Sequence, residues 1–163
     1  MQVVTETSHH HQDVMLPHVD ALLALAESIG TASNVALREQ LDVACHFLEE
    51  QLIPHMEMAE GNLFPALEGL LSDTHALAPL RREHAEVRRL IEELRRLRDQ
   101  LTGVPLSAGT AIALRRVLMK LFTLLRVHLE EESHYLPILD KNLSRADAQA
   151  IAAGMQHASL EPL

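Results

Sequence analysis

Eleven histidines in 163 residues, beside three Phe, one Tyr and no Trp, are the feature of this chain that calls for a chemical account. Four of them, His18, His55, His84 and His128, each fall within the apolar stripe of a different candidate helix. A single imidazole on an apolar face is ordinarily a packed core residue. One per helix, four times over, points to a shared cause. Imidazoles facing one interior are costly to bury unpaired. A metal ion satisfies them together, because the neutral ring nitrogen is a usual metal ligand. Carboxylates follow two of the four. His128 and Glu132 are three residues apart in between and share a face, about 40° from each other on an ideal helix. His55 and Glu60 have one more residue between them, about 140° apart, with Pro54 positioned to change the local phase. Glu57 and Glu131 are the substitutes in another register.

The chain also repeats itself. His55 and Glu60 run into Leu63-Phe64-Pro65, and His128 and Glu132 run into Tyr135-Leu136-Pro137. The pattern is two helical hairpins, each supplying a His and then a His with a Glu. Packed about a pseudo-twofold axis, they suggest two metals bridged by the two carboxylates. Other matches are weaker. His46 and Glu50 have the right spacing but lie about 180° around the helix from His55 and should face solvent. Glu131 and His134 form one Glu-x2-His element where ferritin-like sites need two. Cys45 has no neighbouring base and reads as a small buried hydrophobe. The chain has no Gly-rich phosphate loop, no zincin motif and no Ser nucleophile elbow.

The elements that must position these residues are helical throughout. A chain of 163 residues fits one domain. The single cysteine excludes a disulfide framework, a four-Cys zinc site and a Cys-ligated iron–sulfur cluster. A formal charge of -9 argues against nucleic-acid binding, and 2% aromatic content argues against base or sugar stacking. No apolar run approaches the roughly 20 residues that span a bilayer, and the first residues lack a targeting pattern, so a cytoplasmic protein without membrane partners is expected. Period-3.6 patterning gives helices near 13–29, 33–71, 77–101 and 107–139, with a short fifth near 145–158. The first stripe reads Val14, His18, Leu22, Leu25 and Ile29. Pro54 and Pro65 should bend the second helix. The expected fold is all-α: an up-down-up-down antiparallel four-helix bundle over 13–140, preceded by a disordered tail, 1–12, and followed by a short C-terminal helix and tail, 141–163. The tail carries His9, His10 and His11, a trio suited at most to loose metal binding.

These residues resemble the hemerythrin-like, or HHE cation-binding, domain family over roughly 13–140. The resemblance rests on Leu16-Pro17-His18, on the stretch from His55 through Glu60 to Pro65, on Arg82-Glu83-His84, and on His128 through Glu132 into Tyr135-Leu136-Pro137. It implies a four-helix bundle holding two iron ions with an oxo or hydroxo bridge. In that implied site His18, His55, His84 and His128 are terminal ligands, and Glu60 and Glu132 bridge. It further implies a small diatomic or peroxide ligand: members bind dioxygen reversibly, sense oxygen or iron, or process peroxide or nitric oxide. The sequence departs from the oxygen carriers in two ways. Arg88 stands where they carry a fifth histidine, and the two His–Glu spacings are reversed. The missing nitrogen leaves open positions, which favours catalase- or peroxidase-like reaction with peroxide or oxygen over simple carriage. Tyr135 is a candidate to fill one of them. The alternative is a non-catalytic metal-binding module for iron sensing or storage, or one loaded with zinc or manganese.

Overall fold

The computed structural model describes residues 3–101 and 105–157, with the side chain of residue 157 outside that description. Five helices account for nearly all of it: α1 (Val3–Ser28), α2 (34–71), α3 (Ala78–Asp99), α4 (Ala108–Asn142) and α5 (Arg145–His157). Their boundaries follow local chemistry. Gly30, at φ +96°, ends α1 in a backbone region that side chains rarely enter. Ser33 and Ser107 begin α2 and α4, their hydroxyls accepting from the N–H of Ala36 and Thr110. The Ser144 hydroxyl accepts from the Asp147 N–H at the start of α5.

Neighbouring helices run antiparallel, as contacts at both ends of two of the pairs show. Along α1 and α4, Asp140 meets Val4 while Arg115 donates to the carbonyl of Ile29 at 2.7 Å. Arg38 at the start of α2 reaches the carbonyl of Leu101, and Arg81 near the start of α3 pairs with Glu68. The expected four-helix bundle with a short extra helix is therefore the observed fold.

The expected tail is corrected. Residues 3–12 are the first turns of α1 and not a loose segment. The ends of the expected tails, residues 1, 2 and 158–163, and residues 102–104 of the expected interhelix breaker lie outside the described residues. The buried stripe of α1 also differs in phase from the expected one. It runs Val4, Ser8, His11, Met15, Val19, Leu22, Leu25 and Ile29, while Val14 is 50% exposed. Those steps of three and four residues keep one face turned inward from end to end.

α2 is one rod with two wide turns in it. Leu48–Leu52 and Ala59–Leu63 are π-helical, and each stands just before a proline-bearing α segment, Ile53–Met58 and Phe64–Leu71. Pro54 and Pro65 lack the N–H that would close an ordinary turn. The chain instead closes a wider one, with the N–H of Ile53 donating to the Leu48 carbonyl and that of Phe64 to Ala59. Each π turn is a one-residue insertion in the helical phase.

The core has two apolar clusters. The larger, upper one joins Leu22, Leu41, Leu48, Leu52, Leu90, Leu94, Leu118 and Leu121, among others. The lower one joins Val4, Met58, Leu63, Phe64, Leu80 and Leu136 and is covered by Ile151 and Met155 of α5. Between them on the bundle axis lie the buried polar side chains Ser8, His11, His55, His84, His128 and Glu132. The outer face of α3 is a solvated ion-paired surface, with Arg89 bridging Glu86 and Glu93. No helix among the described residues is long and apolar enough to cross a membrane.

The start of α1 is held by α4. The Asp140 carboxylate accepts from the N–H groups of Val4 and Thr5, at 3.0 and 2.8 Å, and from the Thr5 hydroxyl at 2.6 Å. It satisfies helix-terminal donors from another helix, as an N-cap does from its own. Asp140→Ala is expected to cost about 1–2 kcal/mol in chemical denaturation, with faster amide exchange confined to the first turns of α1.

Candidate metal centre

Each long helix contributes one imidazole to the polar layer. On α3, His84 lies between Leu80 and Val87 in an unbroken buried stripe. On α4, His128 and Glu132 are one turn apart and both buried. On α2, His55 follows the first π turn and Pro54, and it too is buried. On α1 the inward imidazole is His11, 5% exposed.

The rings on α3 and α4 face each other. Their Nε2 atoms are 2.9 Å apart. Their outer nitrogens are held by carboxylates: the His84 Nδ1 donates to Glu60 Oε1 at 2.7 Å, and the His128 Nδ1 donates to Glu83 Oε2 at 3.2 Å. A carboxylate on the outer nitrogen fixes the tautomer and leaves the inner nitrogen with a bare lone pair, as in metal-ligating histidines. Two such lone pairs facing at contact distance repel unless a proton or a cation is shared between them. The other two rings, His11 and His55, have centroids 6.2 Å apart. His55 Nε2 lies 3.3 Å from Glu132 Oε2, yet neither His55 nitrogen and neither Glu132 oxygen makes a hydrogen bond, and all four atoms are buried. Groups of this kind are costly to bury unsatisfied. The Ser8 hydroxyl, beside the layer, is likewise without a partner.

The electrostatics follow from burial and crowding. Burial pushes His84 down to about 4, aided by the His128 ring. Burial also takes His11 to about 4, aided by His55 and His10. Both rings are neutral near pH 7. For Glu132, burial acts to raise the pKa, but the surrounding imidazoles, His55 foremost, hold it at about 2. His55 is opposed by its own burial and is raised by the Glu132 carboxylate.

Two residues of the expected ligand set lie elsewhere. His18 stacks on Phe47 with ring centroids 4.7 Å apart, on the wall of a groove of about 380 Å³ between α1 and α2. His11, seven residues earlier on α1, has the inward place instead. Glu60 is 27% exposed and lies outside the layer, gripped by the Arg88 guanidinium at 2.9 and 3.2 Å as well as by His84. Arg88 and His84 thereby hold its carboxyl below the usual range against the opposing effect of burial. The remaining expected residues, His55, His84, His128 and Glu132, are brought together in the layer. Glu57, His46, His75 and His134 are exposed, Cys45 is buried, and Tyr135 packs against the lower cluster. His157 lies outside the described side chains.

Sequence reasoning missed His11, Glu83 and the role of Arg88. Counting back from Leu22 through Val19 and Met15 leads to His11, which is the signal that was there to be read. Among the described residues the contacts are pairwise, and no three His, Cys, Asp or Glu side chains already stand grouped as a set that could hold a metal ion.

An antiparallel helical bundle with a histidine–carboxylate layer in its interior defines a class of helical module. Comparison with family models makes the class specific: the hemerythrin HHE cation-binding domain matches residues 3–157, from the first turns of α1 to the end of α5. The chain belongs to that family of cation-binding modules. No curated protein matches it, and no solved structure does.

The buried histidines give acid sensitivity a definite sign. His11 and His84, lowered to about 4, stay neutral in the fold while their unfolded counterparts take up protons near the ordinary histidine value of 6.5. Stability therefore falls as pH drops from about 6.5 toward 4, and below 4.5 the depressed Glu132 adds to the loss. The raised His55 opposes this, since its contribution is full at low pH and is lost as pH rises through its folded value. The net expectation for metal-free protein is a loss of stability between about pH 7 and pH 4.5, read as a fall in Tm.

Proposed function

We propose that the layer is an iron-binding centre formed by His11, His55, His84, His128 and Glu132, and that it takes dioxygen, peroxide or nitric oxide as its small-molecule ligand. The observation that carries this reading is the facing pair His84 and His128. Each has its outer nitrogen tied to a carboxylate and its inner lone pair turned toward the other, 2.9 Å away. A cation resolves that contact and at the same time gives a partner to the buried His55 and Glu132 atoms that make no hydrogen bond. The nitrogen-rich donor set with one carboxylate suits iron, and it also accepts zinc or manganese.

Bound iron supplies one-electron redox chemistry and a position for a small ligand. The chain's own residues do the rest. Glu60 and Glu83 hold the His84 and His128 rings in one tautomer and one orientation. Arg88 anchors Glu60, so the His84 ring is fixed through two successive contacts. The two apolar clusters above and below the layer exclude water from it. In a dry site the Glu132 charge acts on the neighbouring rings with little screening.

Metal content tests the assignment. Protein expressed with iron should retain it through dialysis, while His84→Ala and His11→Ala should weaken retention at least about 10-fold, as loss of a ligand or its supporting shell does. His18→Ala should retain iron as the unaltered protein does, because its ring lies against Phe47. An iron-free protein, or one in which His18→Ala loses iron and His11→Ala does not, overturns the assignment. Peroxide consumption by the iron-loaded protein separates a reactive centre from a storage or sensing module.

A further inference from the structure

We infer that the layer is built to hold one cation per chain, not a carboxylate-bridged pair, with Ala59 standing where a second interior carboxylate would have to be. The inference rests on the cation-binding reading above and concerns how many ions that site takes.

The backbone hydrogen bonds of α2 fix the argument. The Ala59 N–H donates to the His55 carbonyl, so His55 and Ala59 are one ordinary α turn apart. His128 and Glu132 are also one turn apart, inside the α4 helix. Ala59 therefore has the relation to His55 that Glu132 has to His128. It is fully buried, and its methyl group offers no donor atom. The extra residue of the first repeat enters only afterwards, in the π turn closed by the Phe64 N–H and the Ala59 carbonyl. Glu60 comes one residue later, about 100° further around. To bridge two ions it would have to leave both Arg88 contacts and release His84 Nδ1.

Donor count and charge agree with this. Four imidazoles and one carboxylate, which gives one oxygen or two, nearly fill the shell of a single six-coordinate ion. Shared between two ions, the same set leaves each short of protein ligands. Glu132 inside the layer, Glu60 and Glu83 on its outer edge and Arg88 behind Glu60 together carry a formal charge of -2 (three carboxylates and one guanidinium). That balances one divalent cation. A second would need a bridging oxide or hydroxide to offset its charge, because Glu132 is the only buried carboxylate among the described residues.

The test is loading stoichiometry. The 163-residue chain, with the exposed His9 and His10 changed to Ala to remove adventitious imidazoles, is loaded anaerobically with ferrous iron or with cobalt(II) and desalted. It is then measured by elemental analysis and by electron paramagnetic resonance of the cobalt form. One ion per chain with the signal of an isolated ion is expected. Two ions per chain with an exchange-coupled signal overturn the single-ion inference and leave the cation-binding reading standing. No retained ion overturns both. In A59E, where the added carboxylate reaches the layer, capacity should rise toward two, and a folded A59E that still binds one removes Ala59 from the argument. E60A serves if A59E does not fold. It should still bind one ion, about 10-fold more weakly through the loosened His84 ring. Complete loss of the ion in E60A would make Glu60 a ligand and overturn the proposal.

Discussion

The constraint on which the rest of this structure depends is the burial of four imidazoles and a carboxylate between two apolar clusters. Such groups lose their hydration on folding and must recover it from partners inside the protein. Here the recovery is incomplete and uneven. The outer nitrogens of His84 and His128 are paired with Glu60 and Glu83. The inner nitrogens face each other, and the atoms of His55 and Glu132 have a short electrostatic contact without hydrogen bonds. A stable apolar core would be simpler to build from Leu and Val, which the same helices use one turn above and below. Polar groups retained at such cost mark a place where the fold serves something other than its own stability.

The asymmetry of the layer has a backbone cause. The two hairpins repeat the same motif, but α2 carries an additional residue after Ala59 and a proline shortly beyond it. A π turn accommodates both, since it adds one residue to the phase and requires no N–H from Pro65. The consequence is that the acidic residue of the first motif moves from the inner face to the flank, where Arg88 is placed to receive it. α4 has no such insertion among its described turns, and Glu132 stays inside. One added residue thus converts a possible interior carboxylate into an outer support for His84.

The same physics decides what was legible in the sequence. His84, His128 and Glu132 lie on long helices with an uninterrupted 3.6 period, so counting apolar steps leads straight to the interior. His55 is legible because Leu48, Leu52 and His55 keep buried steps of four and three residues across the first π turn. Glu60 stands about 140° from His55 on an ideal helix, which already argues against an inward place; what the sequence hides is its partner Arg88, 28 residues away. The start of α1 failed for a different reason. Its inward residues in the first turns include Thr5, Ser8 and His11, which look like a polar tail when read without the layer they face. Scored for hydrophobicity, a helix that enters a polar stratum resembles no helix at all. The pair Val14 and His18 then supplied a plausible but rotated stripe, and His18 went with it.

Long-range contacts supply what the first turns of α1 lack locally. Pro17 stands inside that helix, and the residues before it have little apolar periodicity to hold them. Val4 is nevertheless fully buried in the lower cluster with Leu136, Leu139, Ile151 and Met155. The backbone of Val4 and Thr5 is tied to Asp140, and Gln12 donates to the carbonyl of Leu129 at 2.9 Å. The N-terminal turns of α1 are thus seated on the last turns of α4 and on α5, and His11 is carried between those anchors. His11 is held at the layer by these contacts of α1 with the C-terminal third of the chain. The short helix α5 helps determine the layer's composition by covering the cluster into which Val4 packs.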